Sequence, residues 1–304
     1  ALKDINDAAG GTISLSGGDG YGLAFSGTTA QVKAATAGTF AAALTGAVTI
    51  TDNPSTADLA TINAATNGTV TFGDGGGGTD PITGTAAHVF STLQGISNHS
   101  GTVEITDAHT LAQLKDINYL TTGTITLNNY SVALAGTTAD VKSALSGTFS
   151  SSYTGNITIT DADGTSISAT NLSTIGAATT GTVTVTNAIA IIGNHDQVTA
   201  ALVTGASKVT ASTATVTIND ADATGVTAAE LSAIGGATNG TVTVSNAAAI
   251  SGSGSEVTAA LVTEGTKVVA ATATVTISDN AGTAMNASDL SAIGAKTSGT
   301  VTVT

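Results

Sequence analysis

The chain lacks cysteine, tryptophan and arginine, and only two of its 304 residues are proline. Without cysteine it can form neither a disulfide framework nor a thiolate metal site. Phenylalanine and tyrosine are scarce, at five and four residues, while glycine contributes 37. A core made from this composition must be thin, because aliphatic and alanine side chains fill repeated layers better than wide interiors.

Basic residues are also few, since seven lysines stand against 21 acidic residues and the net charge is −14. This balance excludes most nucleic-acid binders, because no basic patch offsets the repulsion from phosphate, and it favours small cations as partners. No run approaches the ~18 apolar residues of a membrane-spanning helix, so we expect no membrane span. The sequence begins inside a periodic segment, and we expect it to be part of a longer chain.

A Gly-Thr pair followed by alternating apolar and threonine residues recurs every 55 to 59 residues. A second strand-like run ends in aspartate and follows the same register. Internal periodicity of this length predicts a repeat architecture. The glycines are Gly11, Gly68, Gly123, Gly181, Gly240 and Gly299, and the aspartates are Asp52, Asp107, Asp161, Asp220 and Asp279. The predicted domain organisation is one array over residues 1–304: a partial repeat 1–10, repeats 11–67, 68–122, 123–180, 181–239 and 240–298, and a partial repeat 299–304.

The fourth repeat illustrates the predicted elements. Residues 182–186 alternate threonine with valine, which indicates a half-buried strand with valine inward, and the apolar residues 188–192 follow as a second strand or bend. Asn194 with Gln197 forms a capping box that opens a short helix, and a second box precedes another helix. The first box recurs as Thr28/Gln31, Thr85/His88 (a departure), Thr137/Asp140 and Ser253/Glu256; the second, which looks more regular, is Ser55/Asp58, Thr110/Gln113, Ser168/Asn171, Thr227/Glu230 and Asn286/Asp289.

These elements predict an α/β solenoid of stacked strand–helix coils with a mostly parallel sheet, about 58 residues and two coils per repeat. Leucine-rich repeats follow the same logic. Like positions of successive repeats would then stack at roughly twice the ~4.8 Å strand spacing. The alternative is a string of small β-sandwich domains, which would lack regularly placed capping boxes and normally needs more than 59 residues per domain.

Candidate metal ligands are the acidic residues of turns and glycine-rich loops. The Asp-Ala-Asp-Gly stretch at residues 161–164 resembles the start of a calcium loop, but no distal glutamate follows, so we favour Asx turns for the repeated aspartates. Residues 73–80 (GDGGGGTD) resemble part of the nonapeptide calcium repeat of RTX-type toxins. The candidate calcium ligands are Asp19, Asp74, Asp80, Asp161 and Asp163, and calcium is the one cofactor considered.

The four histidines, at positions 88, 99, 109 and 195, do not have metal-ligand spacing, and we expect them at the surface. Asn194, His195 and Asp196 could form a catalytic cluster, but Asn194 is explained as a helix cap and the other repeats lack the trio. We therefore expect no enzymatic activity.

The alternating threonines form an outward array that resembles the faces of some antifreeze proteins, although threonine also has high β-propensity. They are Thr182, Thr184 and Thr186, Thr241 and Thr243, Thr300, Thr302 and Thr304, and in part Thr122, Thr124 and Thr126.

Two stretches of the repeat sequence resemble a known group of proteins. Residues 227–245 (TAAELSAIGGATNGTVTVS) and 256–263 (EVTAALVT) resemble giant repetitive surface or secreted proteins of marine cyanobacteria. That resemblance implies an extracellular structural role and carries over no catalytic residues. The predicted function is a non-enzymatic segment of a filament, surface layer or adhesin, a stiff spacer that joins head to tail with copies of itself or adjoining repeats of the same chain. The alternative is a ligand-binding solenoid that takes calcium at the Gly/Asp-rich loops or ice on the threonine face.

Overall fold

The computed structural model describes residues 2–16, 20–52, 54, 56–72, 78–79, 81–94, 96, 98–263, 265, 267–280 and 282–304. Short strands alternate with short helices, and every strand pair among these residues is parallel, so the predicted α/β class and parallel pairing are confirmed. By internal contacts the chain divides into two compact units, Ala1–Val132 with Ser143–Ser152, and Ala133–Lys142 with Tyr153–Thr304.

The first unit contains two three-stranded sheets, in the orders β1-β2-β3 and β4-β5-β6. Its helices pack in succession, each against the next along the chain. The elements are α1 (Leu2–Ala8), β1 (Phe25–Gly27), α2 (Thr29–Thr36), β2 (Val48–Ile50), α3 (Thr56–Ala65), β3 (Val70–Phe72), β4 (Ile82–Gly84), α4 (Ala86–Leu93), β5 (Val103–Ile105), α5 (Leu111–Leu120) and β6 (Ile125–Leu127).

The second unit contains three sheets, in the orders β7-β8-β10-β12, β9-β11-β13-β15-β17 and β14-β16-β18-β19. Helix α6 (Thr138–Leu145) contributes residues to both units. The other elements are β7 (Leu134–Gly136), β8 (Ile157–Ile159), β9 (Ser166–Ser168), α7 (Ala169–Ala178), β10 (Val183–Val185), β11 (Ala190–Gly193), α8 (His195–Leu202), β12 (Val209–Thr210), β13 (Thr215–Ile218), β14 (Gly225–Thr227), α9 (Ala228–Gly236), β15 (Val242–Val244), β16 (Ala249–Gly252), α10 (Gly254–Leu261), β17 (Val268–Val269), β18 (Thr274–Ile277), α11 (Ala287–Gly294) and β19 (Val301–Val303).

Burial follows the sequence pattern of both element types. In β10 the valines at 183 and 185 are buried and Thr184 is exposed, as the alternation predicts. The helices have seven to ten residues, too short to persist alone in water, and in α9 Leu231 and Ile234 are fully buried in the core. None of the described helices is long and apolar enough to cross a membrane.

Equivalent strands of successive repeats do not pair with each other. Val183 and Val242 occupy the same repeat position, yet Val183 pairs with Ile157, and Val242 pairs with Val216, which itself pairs with Ile191. Paired residues are 21 to 26 positions apart, so two pairing steps cover fewer residues than one repeat. Each repeat therefore contains more residues than two pairing steps use. These extra residues shift the next equivalent strand out of register, so that it lies in another sheet. The expected stacking of like positions is therefore wrong for these strands.

A Thr-x-Gly turn explains why glycine recurs at five of the six repeat boundaries; Gly11, which has Ala9 two residues before it and open space around its Cβ position, is the exception. We call the segment that connects one strand to the next parallel strand a crossover. Thr238 donates a hydrogen bond from Oγ1 to the carbonyl of Ala214 on the neighbouring crossover, and it accepts one from the Gly240 N–H. A Cβ atom on Gly240 would lie 2.2 Å from that carbonyl oxygen, a distance that no side chain tolerates. The same pair of hydrogen bonds occurs at Thr66/Gly68, Thr121/Gly123, Thr179/Gly181 and Thr297/Gly299.

We predict that Gly240→Ala lowers the free energy of unfolding by about 1–3 kcal/mol, because the new methyl group forces the two crossovers apart. The measurement is urea denaturation followed by far-ultraviolet circular dichroism. Gly236→Ala is the matched control, since Gly236 lies in α9 with open space around its Cβ position and alanine favours a helix. Equal destabilisation by both substitutions would contradict the close-approach explanation.

Candidate functional site

The five repeated aspartates bind the N-termini of neighbouring helices. Each follows one strand and accepts a hydrogen bond from the first N–H of the helix that follows the adjacent strand of the same sheet, because the carboxyl ends of parallel strands meet at one edge. The expected Asx turns do not describe these contacts, which join residues 21 to 25 positions apart. The pairs are Thr29 N–Asp52 (2.6 Å), Ala86 N–Asp107 (2.7 Å), Thr138 N–Asp161 (2.7 Å), His195 N–Asp220 (2.7 Å) and Gly254 N–Asp279 (3.0 Å).

The same five helices also carry a local cap. In α2, α8 and α10 the predicted capping boxes are complete, and in α4 and α6 the cap hydroxyl accepts the N3 amide. A helix leaves its first N–H groups without internal partners, and its N-terminus carries partial positive charge. Here a local side chain and a distant carboxylate satisfy these groups together, and the carboxylate adds a favourable charge interaction.

The second set of capping boxes is less regular than the sequence suggests. Complete boxes open α5 and α9, but Ser168 and Asn286 make no side-chain cap hydrogen bond, so the prediction is wrong for α7 and α11. The amide oxygen of Asn171, the predicted partner of Ser168, instead accepts a hydrogen bond from Lys142, and the Asn286 amide donates to Asp289. Ser55 lies outside the described residues.

Helix α8 departs from its counterparts because its first residue is histidine. His195 Nδ1 lies 2.8 Å from Asp220 Oδ1, while the His195 N–H donates to the other oxygen of the same carboxylate. Asp220 is buried and the imidazole is largely buried. On its other side, His195 Nε2 lies 3.4 Å from Asp196 Oδ1. Ligand atoms of His195, Asp196 and Glu230 all lie within 4.8 Å of one another, an arrangement found once in the part of the chain that the structure describes.

The electrostatics of this cluster favour a positive charge. Burial disfavours the imidazolium, but the hydrogen bond and charge of Asp220, with Asp196 and Glu230, outweigh it and raise the pKa of His195. Hydrogen bonds from the Thr227 hydroxyl and N–H, together with His195, lower the pKa of Glu230. Because Nε2 faces a carboxylate and not a hydroxyl, the cluster is suited to holding a proton or a cation instead of activating a nucleophile.

Sequence patterns identify each residue of this cluster but do not predict that the residues lie close together. The sequence marks the trio at residues 194–196, and Asn194 caps α8 as its capping box predicts. Asp220 belonged to the repeated aspartates, and Glu230 belonged to the capping-box set. The signal that was missed is the histidine itself, which replaces threonine, alanine or glycine at the first position of one capped helix.

The calcium candidates fall into two groups. Asp19, Asp74 and Asp80 lie outside the described residues. Asp161 accepts the N–H and hydroxyl of Thr138, and Asp163 Oδ1 accepts the Ala188 N–H at 2.8 Å. A corresponding contact joins Asp222 to the Ala247 N–H in the next repeat. The two described candidates are thus engaged with backbone amides, a role that recurs along the chain.

The expected surface position is wrong for two histidines. His99 and His109 are both buried, and burial lowers the pKa of His109. His99 Nδ1 lies 2.9 Å from the hydroxyl of Thr121, which is buried on the adjacent crossover. A buried polar ring is tolerated where such a partner replaces water, and the sequence around His99 gives no sign of a partner 22 residues away.

The outward threonines do not form one face. Thr184, Thr243 and Thr302 occupy equivalent repeat positions but lie in three different sheets, on β10, β15 and β19. Short rows do exist, as where Thr184 stands between Thr158 and Thr210. The threonine array expected from the repeats is therefore divided among sheets.

No protein-family model matches this chain, and no curated protein matches it either. The likeness to repetitive surface proteins thus remains a prediction. Function must be inferred from the repeated contacts and from the places where one repeat differs from the others.

We predict that Asp107→Ala lowers the free energy of unfolding by about 1–2 kcal/mol, because the N–H of the buried Ala86 loses its acceptor and the helix loses a charge at its N-terminus. Asp107→Asn, which keeps an acceptor, should fall between this variant and the parent. Chemical denaturation provides the measurement, and Asp116→Ala on the half-exposed face of α5 is the control for loss of one carboxylate. Equal effects of the substitutions at 107 and 116 would contradict a capping role.

A second prediction concerns how the stability of the fold changes at low pH. The Thr29 hydroxyl and N–H donate to Asp52 and hold the pKa of that carboxyl below its ordinary value. A carboxyl with a lowered folded-state pKa stabilises the fold above its unfolded pKa of about 3.9, and this contribution is lost as the pH falls through the folded value. Asp52→Asn should therefore weaken the fold at pH 6 and much less at pH 2, by denaturation midpoint. A difference that is unchanged between the two pH values would refute the linkage.

Proposed function

We propose that this chain is a non-enzymatic structural segment, an α/β solenoid with about 58 residues and two coils per repeat. It serves as a stiff spacer in an extracellular filament, surface layer or adhesin. The observation that most supports this proposal is the recurrent contact of Asp52, Asp107, Asp161, Asp220 and Asp279 with the helix of the adjacent crossover. Each of these contacts joins two crossovers of the same repeat, and strand pairs such as Val216 with Val242 join one repeat to the next, so stability is shared along the array.

The C-terminal residues present two apolar side chains whose repeat equivalents are buried. Leu231 is fully buried, whereas its equivalent Leu290 is 37 % exposed; Val244 is 4 % exposed, whereas Val303 is 53 % exposed. Val303 lies on β19, the edge strand of its sheet. An unpaired edge with apolar side chains is a template for another strand. We infer that a further repeat covers it, from a second copy or from an adjoining repeat of the same chain.

The N-terminal partial repeat and the first repeat also present apolar side chains. Ile5 and Leu23 are exposed beside an open groove of about 920 Å³ whose lining includes Leu15, Tyr21 and Phe25. Contact between the first repeat of one copy and the last repeat of another would be head to tail, and such contacts produce filaments when they do not close into rings. The net charge of −14 disfavours lateral association of these segments.

The alternative function, calcium or ice binding, has weaker support. Asp161 and Asp163 are engaged with backbone amides, and the equivalent threonines Thr184, Thr243 and Thr302 lie in three different sheets. A flat ice-binding face needs its hydroxyl groups in one regular array. The spacer role needs only the repeated contacts between crossovers.

We predict that the chain associates in a concentration-dependent manner and that Val303→Lys weakens this association at least tenfold, because a charge is placed on the exposed strand edge. Sedimentation velocity measures the species, and electron microscopy shows whether they are linear. Thr184→Lys, which adds the same charge to an outward position of a central strand, is the control and should leave association unchanged. A chain that stays monomeric at all concentrations would contradict self-assembly.

The location is tested on intact cells of the source organism with an antibody against the folded chain. Surface or filament labelling is expected without permeabilisation. Labelling that appears only after permeabilisation would contradict the extracellular role.

A further inference from the structure

The buried carboxylate of Asp220 orients His195. It accepts the His195 N–H through one oxygen and lies 2.8 Å from Nδ1 through the other. Since an ionised carboxylate only accepts hydrogen bonds, Nδ1 must carry the proton, and Nε2 of the neutral ring then presents its lone pair on the opposite side. A carboxylate behind a histidine in this way is the usual support for a histidine that ligates a metal.

The groups facing Nε2 are also electron donors. Asp196 Oδ1 lies 3.4 Å away, and its side chain is 80 % exposed and so free to adjust. Glu230 uses Oε2 to accept the N–H and hydroxyl of Thr227, which leaves its other oxygen for a further ligand. A lone pair and two carboxylates that face one another favour a positive charge between them, either a proton on Nε2 or a bound cation.

The distances suit a small transition-metal ion. A tetrahedral zinc site with bonds of about 2.0–2.2 Å separates its ligand atoms by about 3.3–3.6 Å. The separation of His195 Nε2 and Asp196 Oδ1 already falls in this range, and an oxygen of Glu230 lies within 4.8 Å of both. One imidazole nitrogen with two carboxylate oxygens is a ligand set for Zn²⁺ or a neighbouring divalent ion, with remaining positions open to water.

We propose that His195 Nε2 and one carboxylate oxygen from each of Asp196 and Glu230 bind one divalent transition-metal ion, of which Zn²⁺ is the representative. The ion joins α8, which carries His195 and Asp196, to α9, which carries Glu230. The other helices capped by a distant aspartate begin with Thr29, Ala86, Thr138 and Gly254, so this site occurs in one repeat. The site is independent of the proposed spacer role.

The chain itself offers substitutions that remove ligands and keep the fold. Threonine stands at the position of His195 in α2 and α6, where its hydroxyl donates to the capping aspartate, so His195→Thr preserves the cap. Glutamine stands at the position of Glu230 in the complete box of α5, so Glu230→Gln preserves that box. The matched control is His88→Gln, which removes a histidine from the N3 position where α2 and α8 carry glutamine.

The test is a titration with ZnCl₂ of the 304-residue chain after a chelator has removed bound metal, followed by calorimetry and by long-range ¹H–¹⁵N correlation of the four imidazoles. We expect the Nε2 resonance of His195 to shift with saturation at one equivalent, and EDTA to reverse it. His195→Thr and Glu230→Gln should each lower the affinity at least tenfold, while His88→Gln leaves it unchanged.

Two outcomes would overturn the proposal. Zinc affinity that is the same in His195→Thr as in the parent would show that the ion binds elsewhere. An Nε2 resonance that does not respond to zinc would show that a proton alone supplies the positive charge. Circular dichroism of each variant tests whether the helices are retained.

Discussion

A carboxylate held against the first amide of a neighbouring helix is the contact on which this fold depends. Strands of two to four residues and helices of seven to ten cannot persist alone. An aspartate after one strand satisfies an unpaired N–H on the helix after the adjacent strand and places negative charge at the positive end of that helix. The aspartate and the helix lie in the same repeat, so this contact makes the two strand–helix coils of one repeat depend on each other.

The Thr-x-Gly turns also join adjacent crossovers by hydrogen bonds. A threonine hydroxyl bonds the carbonyl of the adjacent crossover, and the glycine two residues later lets the two backbones approach. The threonine hydrogen bond and the close approach at glycine need no charged or aromatic side chain. They therefore suit a chain that is poor in both and whose core is valine, leucine, isoleucine and alanine. The outward surface is then free to remain hydroxyl-rich and weakly charged.

Function in such an array is expected at its ends and at its exceptions. Towards the C-terminus, Leu290 and Val303 are exposed where their equivalents are buried. The exception is His195, which keeps the capping contact through its own N–H and adds an imidazole between Asp220 and Asp196. The first position of α8 thus provides a ligand for a cation and still keeps its capping hydrogen bond.

Local patterns in the sequence determined the repeats, the alternation of buried valine with threonine, and most capping boxes, because each depends on residues within one strand or one helical turn. They did not determine the partner of each aspartate, the burial of His99, or the sheet in which Val183, Val242 and Val301 lie. Those depend on which residues about 21 to 26 positions apart become neighbours. The tertiary structure decided them, because hydrogen bonds between crossovers form only once parallel strands have set the register.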